Sequence, residues 1–137
     1  MATQNKNQNE PTVSAFMNRN PITAHKNMTL RAASEIMSLY NVGALLVVND
    51  ENRYVGIISD KRITREALAK GRDPATTQIE AVMRKDPICI DCHELARNAQ
   101  AVMKANGVRY LVVKDGEEIV GILSLSDLIR FYTSFFC

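Results

Sequence analysis

Apolar residues in this 137-residue chain follow two spacings that alternate along the sequence. Between residues 30 and 40 they recur every three or four positions, which predicts an amphipathic helix. These positions are Leu30, Ala33, Ile36, Met37 and Tyr40. Two β-rich runs follow, VGALLVV (42–48) and YVGIIS (54–59), and the polar sequence NDEN between them predicts a turn. With a short extended piece at 22–24 and a closing helix over about 61–70, the predicted order is β-α-β-β-α.

The same pattern occurs a second time in the chain. At an offset of 66 positions the sequence aligns Met17 with Met83, Pro21 with Pro87, Arg31 with Arg97, Ala33 with Ala99, Met37 with Met103, Val42 with Val108 and Val47 with Val113. After a turn that is one residue shorter, VGIIS (55–59) matches VGILS (120–124). We therefore predict a second set of elements: a strand at 88–90, a helix, a hairpin around Asp115 and Gly116, and a helix over about 126–132.

The duplication defines the predicted architecture. Neither copy can bury both faces of so small a sheet alone, so we expect an α/β (α+β) fold in which two β-α-β-β-α repeats pack about a pseudo-two-fold axis. The expected divisions are a flexible N-terminal tail at 1–12, a first repeat at 13–70, a linker at 71–78 and a second repeat at 79–137.

Composition and charge narrow the possible partners. Apolar residues make up 46% and charged residues 23% of the chain, and the net charge is only +2. This balance gives no reason to expect a nucleic-acid partner or an acidic membrane surface. The longest apolar run, 42–48, is too short to span a bilayer, and the polar start MATQNKNQNEPT resembles no export signal. We expect a cytoplasmic protein.

The segment CIDCH (89–93) matches the C-x-x-C-H signature of c-type haem attachment. Cys89 and Cys92 fall where the first copy has Thr23 and Lys26, so the scaffold itself requires no cysteine there. In an extended segment their Cα atoms lie about 10 Å apart, beyond the reach of a disulfide. No second C-x-x-C or H-x-x-x-H supplies further ligands for a structural zinc. We expect ordinary side chains and no metal, leave a metal or redox role open, and assign no role to Cys137.

The sequence GILSLSD (121–127) is the strongest candidate for chemistry. Gly121 permits close approach of another chain or a ligand to its strand. Ser124, Ser126 and Asp127 then cluster where the strand passes into a helix, a position that suits phosphate, and a carboxylate there can accept hydrogen bonds from ribose hydroxyls. The alternative is local, because Ser124 and Asp127 also form a capping-box pattern. The spacing alone leaves both interpretations open.

A duplicated pattern runs through the chain, as M-x-x-x-P-I, T-L-x-x-A, G-A-L-L-V-V and G-I-I-S in the first copy and as G-V-R-Y-L-V-V and G-I-L-S-L-S-D in the second. This pattern resembles the cystathionine-β-synthase (CBS) domain, present as a tandem pair without a catalytic domain. The resemblance implies that Ser124, Ser126 and Asp127 hold the ribose of an adenosine ligand in the cleft between the repeats. It also implies base contacts from Ile22 and Thr23 and phosphate contacts from Arg109 and Tyr110, although Arg109 is equally compatible with a surface or inter-subunit ion pair.

The first copy departs from this motif. It has Ser59, but Lys61 and Arg62 stand where the second copy has Ser126 and Asp127, and an arginine cannot accept a hydrogen bond from ribose. We therefore expect one good nucleoside site, and a first-repeat position that is empty or adapted to a more anionic ligand.

These observations predict a non-catalytic sensor that binds an adenine nucleotide, AMP in first place and otherwise ADP or ATP. No further cofactor is required, and the expected partners are a second CBS pair in a homodimer and an unidentified effector protein. Two alternatives stay open. A small enzyme lacks support, because the chain shows no nucleophile–base pair or Gly-rich phosphate loop. A structural dimerisation module that has lost its ligand agrees with the degenerate first copy.

Overall fold

Two three-stranded sheets and four α-helices form the computed structural model, which describes the backbone of residues 10–136 and the side chains of residues 10–130. Most of the predicted N-terminal tail, residues 1–9, and Cys137 lie outside the described residues. The described chain divides into two packing units. We call residues 21–87 the continuous unit, and residues 10–20 together with 88–136 the composite unit.

The continuous unit contains β1 (Thr23–His25), α1 (Leu30–Tyr40), β2 (Ala44–Val48), β3 (Tyr54–Ser59) and α2 (Asp60–Glu66). Strand β1 runs parallel to β2, and β2 is antiparallel to β3. The Thr29 side chain caps α1 by accepting a hydrogen bond from the Ala32 amide, and Asn41 ends the helix at a positive φ of 54°. The predicted element order is confirmed, with β1 one residue later than expected.

The composite unit repeats this order with β4 (Cys89–Asp91), α3 (Ala96–Asn106), β5 (Tyr110–Asp115), β6 (Glu118–Ser124) and α4 (Leu125–Phe136). Its sheet has the same topology, β4 parallel to β5 and β5 antiparallel to β6. Helix α3 ends at Gly107, and Gly116 forms the predicted hairpin turn at a φ of 64°. Two three-stranded sheets with helices confirm the predicted α/β class.

Each unit has its own apolar core. In the continuous unit the helix residues Leu30, Ala33 and Met37 are buried against the sheet residues Leu45, Val47 and Ile58. In the composite unit Ala96, Ala99 and Met103 are buried against Leu111, Val113 and Leu123. Tyr40, which the helical spacing placed on the apolar face of α1, is 56% exposed and lies outside this core.

Residues 10–20 pack in the composite unit rather than with the repeat that follows them in sequence. The Val13 amide donates to the Glu94 carbonyl at 2.8 Å, and the Ala96 amide donates to the Pro11 carbonyl at 3.0 Å. Pro11 and Thr12, predicted as part of the tail, are therefore held in place. The predicted linker is also held in place by a backbone hydrogen bond, in the continuous unit. There the Leu30 amide donates to the Thr77 carbonyl at 2.9 Å.

A glycine in each sheet permits a further backbone segment to lie against the last strand. Asn18 and Ile122 exchange two backbone hydrogen bonds of 2.8 and 3.1 Å beside Gly121. A Cβ on Gly121 would lie 2.5 Å from the Asn18 carbonyl oxygen, and a Cβ on Gly56 would lie 2.7 Å from the Arg84 carbonyl oxygen. The close approach that the sequence predicted at Gly121 is confirmed, and the approaching group is backbone.

Among residues 10–136, no helix has both the length and the apolar character needed to cross a membrane.

Candidate functional site

The strand β6 passes directly into helix α4 at Ser124, the first residue of the candidate cluster. The Ser124 hydroxyl oxygen accepts a hydrogen bond from the Asp127 amide at 3.0 Å, and the Asp127 Oδ2 atom accepts one from the Ser124 amide at 2.9 Å. This reciprocal pair is a capping box, so the local interpretation of the motif is confirmed. The cap also fixes the Asp127 side chain in one orientation at the start of the helix.

The cap leaves much of the Asp127 carboxylate available. An ionised carboxylate offers about four acceptor positions on its two oxygens, and the cap uses one of them on Oδ2. The Oδ1 atom takes no part in the capping box. Asp127 is half-buried and Ser126 beside it is exposed. Capping the helix and accepting hydrogen bonds from a ligand are therefore compatible roles for this residue.

Arg109 and Tyr110 lie next to this cluster. The Leu125 amide donates to the Arg109 carbonyl at 2.9 Å, and Tyr110 is the register partner of Ser124 in the antiparallel pair of β5 and β6. The side chain of Arg109 is exposed, and that of Tyr110 is half-buried. The fold therefore places five of the seven predicted site residues together at one end of the composite sheet.

Ile22 and Thr23, the other two predicted residues, belong to the continuous unit. Thr23 is exposed in β1, and the Ile22 carbonyl accepts a hydrogen bond from the Leu46 amide at 3.2 Å. Strand β1 is at the edge of its sheet, since β2 pairs with it on one side only. The opposite side of its backbone has no strand partner within this unit.

The corresponding position in the first copy has a different construction. The Ser59 hydroxyl oxygen accepts a hydrogen bond from the Arg62 amide at 3.2 Å, which reproduces half of the capping box. The half-buried Arg62 side chain is directed to the backbone instead, and its Nε donates to the Val82 carbonyl. The Asp60 carboxylate accepts from the Lys61 amide at 2.6 Å and is exposed. Arg62 thus takes a structural role at the position equivalent to Asp127, a role that the sequence did not indicate.

The CIDCH segment contains no disulfide between its cysteines, as the extended spacing predicted. Cys89 is exposed in β4, Cys92 is buried in the composite core, and neither forms a disulfide. Burial raises the pKa of the Cys92 thiol above its ordinary value, and the carboxylates of Asp115 and Asp91 raise it further. The backbone N–H of His93 lowers the pKa of the Asp91 carboxyl.

Comparison with known proteins gives consistent matches. The model of the CBS domain family matches residues 13–69 and 79–134. An uncharacterized 17.7 kDa protein of Acidianus ambivalens is 32% identical over 105 residues, which are 76% of this chain and 62% of that protein. Hypoxic response protein 1 of Mycobacterium tuberculosis is 29% identical over 115 residues, 84% of this chain and 80% of that protein.

One of the matching solved structures contains bound ligands. The CBS domain pair of protein MJ0100, in complex with 5′-methylthioadenosine and S-adenosyl-L-methionine, matches with a TM-score of 0.78 at 26% identity. The match covers 91% of this chain and 98% of that one.

Proposed function

Because the chain belongs to the CBS domain family, with one copy at residues 13–69 and one at 79–134, we propose that it is a non-catalytic regulatory module that binds an adenine nucleotide. AMP is the proposed ligand, with ADP and ATP as alternatives. CBS domain proteins are usually regulatory, and the adenosine-type ligands of the MJ0100 pair support a ligand of this class. Binding would be sensed by an effector protein.

This proposal rests on the orientation and the acceptor positions of the Asp127 carboxylate. It is oriented by the capping box, and it keeps acceptor positions for further donors. The two neighbouring hydroxyls of a ribose are donors that such a carboxylate accepts through charge-assisted hydrogen bonds. Because the cap already holds the side chain, ligand binding costs little additional side-chain entropy.

The neighbours of Asp127 suit a ligand that carries phosphate. Ser126 offers an exposed hydroxyl, and Arg109 provides a positive charge beside the same strand end. Tyr110 adds a half-buried ring at this end of β5. Ile22 and Thr23 stay predicted contacts of the base, which the unpaired edge of β1 supports.

We propose one nucleotide per chain. At the equivalent position of the first copy the side chain is a donor, Arg62, and it is engaged with the Val82 carbonyl. The position equivalent to Asp127 therefore offers no carboxylate to a ribose. A nucleotide shifts the conformation of such a module only by the difference between its affinities for the alternative arrangements.

We also propose that two chains form a homodimer. Large apolar side chains are exposed on both units, among them Leu39 at 76%, Tyr40 at 56% and Ile129 at 56%. Exposed apolar residues on helices are typical of surfaces that a second chain covers.

The test is isothermal titration calorimetry with AMP on wild type and two variants. Asp127→Asn keeps an oxygen that accepts from the Ser124 amide but loses the charge and half of the acceptor capacity, so AMP affinity should fall at least about tenfold, which is about 1.4 kcal/mol. Ser59→Ala is the matched control, because it removes the equivalent cap at the other copy. It should cost about 1 kcal/mol of folding free energy and leave AMP affinity unchanged.

Equal AMP affinity in wild type and Asp127→Asn would contradict the assignment of this site. If wild type binds no adenine nucleotide at millimolar concentration, the structural dimerisation module is the correct alternative. Any hydrolysis of the nucleotide by stoichiometric protein during the titration would instead support the enzyme alternative.

A further inference from the structure

Asp91, Cys92 and His93 bring three different metal-ligating groups together at the end of β4. The carboxylate oxygen, the thiol sulfur and an imidazole nitrogen all lie within 4.8 Å of one another. The chain bends here, because the His93 amide donates to Asp91 Oδ1 at 2.7 Å. The ligand atoms therefore lie close together although Cys92 is buried and Asp91 and His93 are exposed.

We propose that this group is a binding site for a divalent transition metal of the zinc class. The ligands are the Cys92 thiolate, the His93 imidazole and the Asp91 carboxylate, and the fourth position is open to solvent. Sulfur, imidazole nitrogen and carboxylate oxygen are the donor atoms that zinc takes in proteins, and three protein ligands with one open position is a common arrangement.

The spacing of the donor atoms fits a tetrahedral ion. Zinc bond lengths of about 2.3 Å to sulfur and 2.0 Å to nitrogen or oxygen imply ligand separations of about 3.5 Å for sulfur and nitrogen and about 3.3 Å for nitrogen and oxygen. The observed separations are 3.5 Å between Cys92 Sγ and His93 Nδ1, and 3.0 Å between His93 Nδ1 and Asp91 Oδ1. Two edges of the tetrahedron are therefore close to the required length before any ion binds.

An ion can reach this group from solvent. Cys92 is buried, whereas the side chains of His93 and Asp91 are 76% and 56% exposed. Binding of a metal to the thiol would release its proton to solvent.

The group is specific to the second copy. At the equivalent positions the first copy has His25, Lys26 and Asn27. Lys26 forms an ion pair with Glu80 at 3.0 Å, and His25 bonds to Asp50 at 2.6 Å. An ammonium group cannot ligate a metal, so the first copy provides no such site.

The metal group also lies away from the proposed nucleotide site. Asp91 pairs with Lys114 near the end of β5, whereas Ser124 pairs with Tyr110 at its start. Four residues of strand separate them by about 13 Å. Failure of one proposal therefore leaves the other intact.

The test is a titration of the metal-free, untagged, reduced protein with Co²⁺, followed by competition with Zn²⁺. We expect one ion per chain, a near-ultraviolet thiolate-to-cobalt charge-transfer band and the strong visible bands of a four-coordinate ion. His93→Ala changes an exposed residue, so its fold is preserved, and it should weaken Zn²⁺ binding at least about tenfold. Cys92→Ser should abolish the charge-transfer band, and Cys89→Ser is the matched control that should retain it.

Three results would overturn the proposal. They are the absence of a charge-transfer band in wild type, a band that survives in both Cys92→Ser and His93→Ala, and a band that is lost in Cys89→Ser. AMP affinity measured on the same variants should stay within about twofold of wild type, which separates this site from the nucleotide site.

Discussion

At the residue scale, one position in the duplicated motif separates the two copies. Asp127 caps its helix through Oδ2, whereas Arg62 at the equivalent position donates to the Val82 carbonyl. A change of Arg62 to aspartate therefore removes a structural hydrogen bond at the same time as it introduces an acceptor. Introducing a second nucleotide site would require compensation for the unpaired Val82 carbonyl.

Arg109 offers a residue-scale test of which ligand group it contacts. Arg109→Ala removes a charge that can pair with phosphate, so AMP affinity should fall about tenfold, or about 1.4 kcal/mol. Affinity for 5′-methylthioadenosine, which has no phosphate, should not change. Calorimetry with both ligands measures the difference, and Arg130→Ala, an exposed arginine on α4, is the control. A loss of equal size for both ligands would indicate that Arg109 acts on the fold of the site instead.

At the scale of the element, a glycine in the third strand of each sheet determines where another backbone segment can lie against that strand. Residue 18 lies against strand β6 beside Gly121, and residue 84 lies against strand β3 beside Gly56. At the second contact the Ile57 and Arg84 backbones exchange hydrogen bonds of 3.0 and 2.9 Å. Isolated bridges of this kind attach the segment before each repeated proline to a sheet. The absence of a Cβ is what permits these contacts.

Replacing Gly121 with alanine tests this element. The new Cβ would meet the Asn18 carbonyl oxygen at 2.5 Å, so the segment must shift, and the free energy of unfolding should fall by about 1–3 kcal/mol. Hydrogen exchange should accelerate at the Asn18 and Ile122 amides. Gly56→Ala is the reciprocal control, with the acceleration at Ile57 and Arg84. Unchanged exchange at Asn18 in Gly121→Ala would show that the bridge is absent in solution.

At the scale of the whole molecule, the proposed homodimer predicts a mass of twice 15.3 kDa by light scattering at micromolar concentration. Leu39→Asp places a charge on a residue that is 76% exposed in the single chain, so it should reduce the dimer fraction without changing monomer stability by more than about 0.5 kcal/mol. Ser38→Asp is the neighbouring control. A wild-type mass of one chain would contradict the dimer, and a dimer unaffected by Leu39→Asp would place its interface elsewhere.

The sequence by itself determined the repeated pattern of elements. Apolar spacing located α1, β2 and β3 within two residues. The offset of 66 transferred the first two positions to α3 and β5, and the offset of 65 after the shorter turn transferred the third to β6. The motif also identified Asp127 and the loss of its equivalent at Arg62. These features are local, since helix and strand periods and capping patterns depend on residues only a few positions apart.

Only the tertiary structure decided which segments pack together. Residues 10–20 join residues 88–136, the Arg62 guanidinium reaches the Val82 carbonyl, and Asp91, Cys92 and His93 converge at a bend. It also fixed the direction of the Asp127 carboxylate, whose Oδ2 atom is held by the Ser124 amide. Such contacts join residues that are distant along the chain or depend on side-chain direction at a bend. No periodic pattern encodes them, because packing of the whole unit selects them.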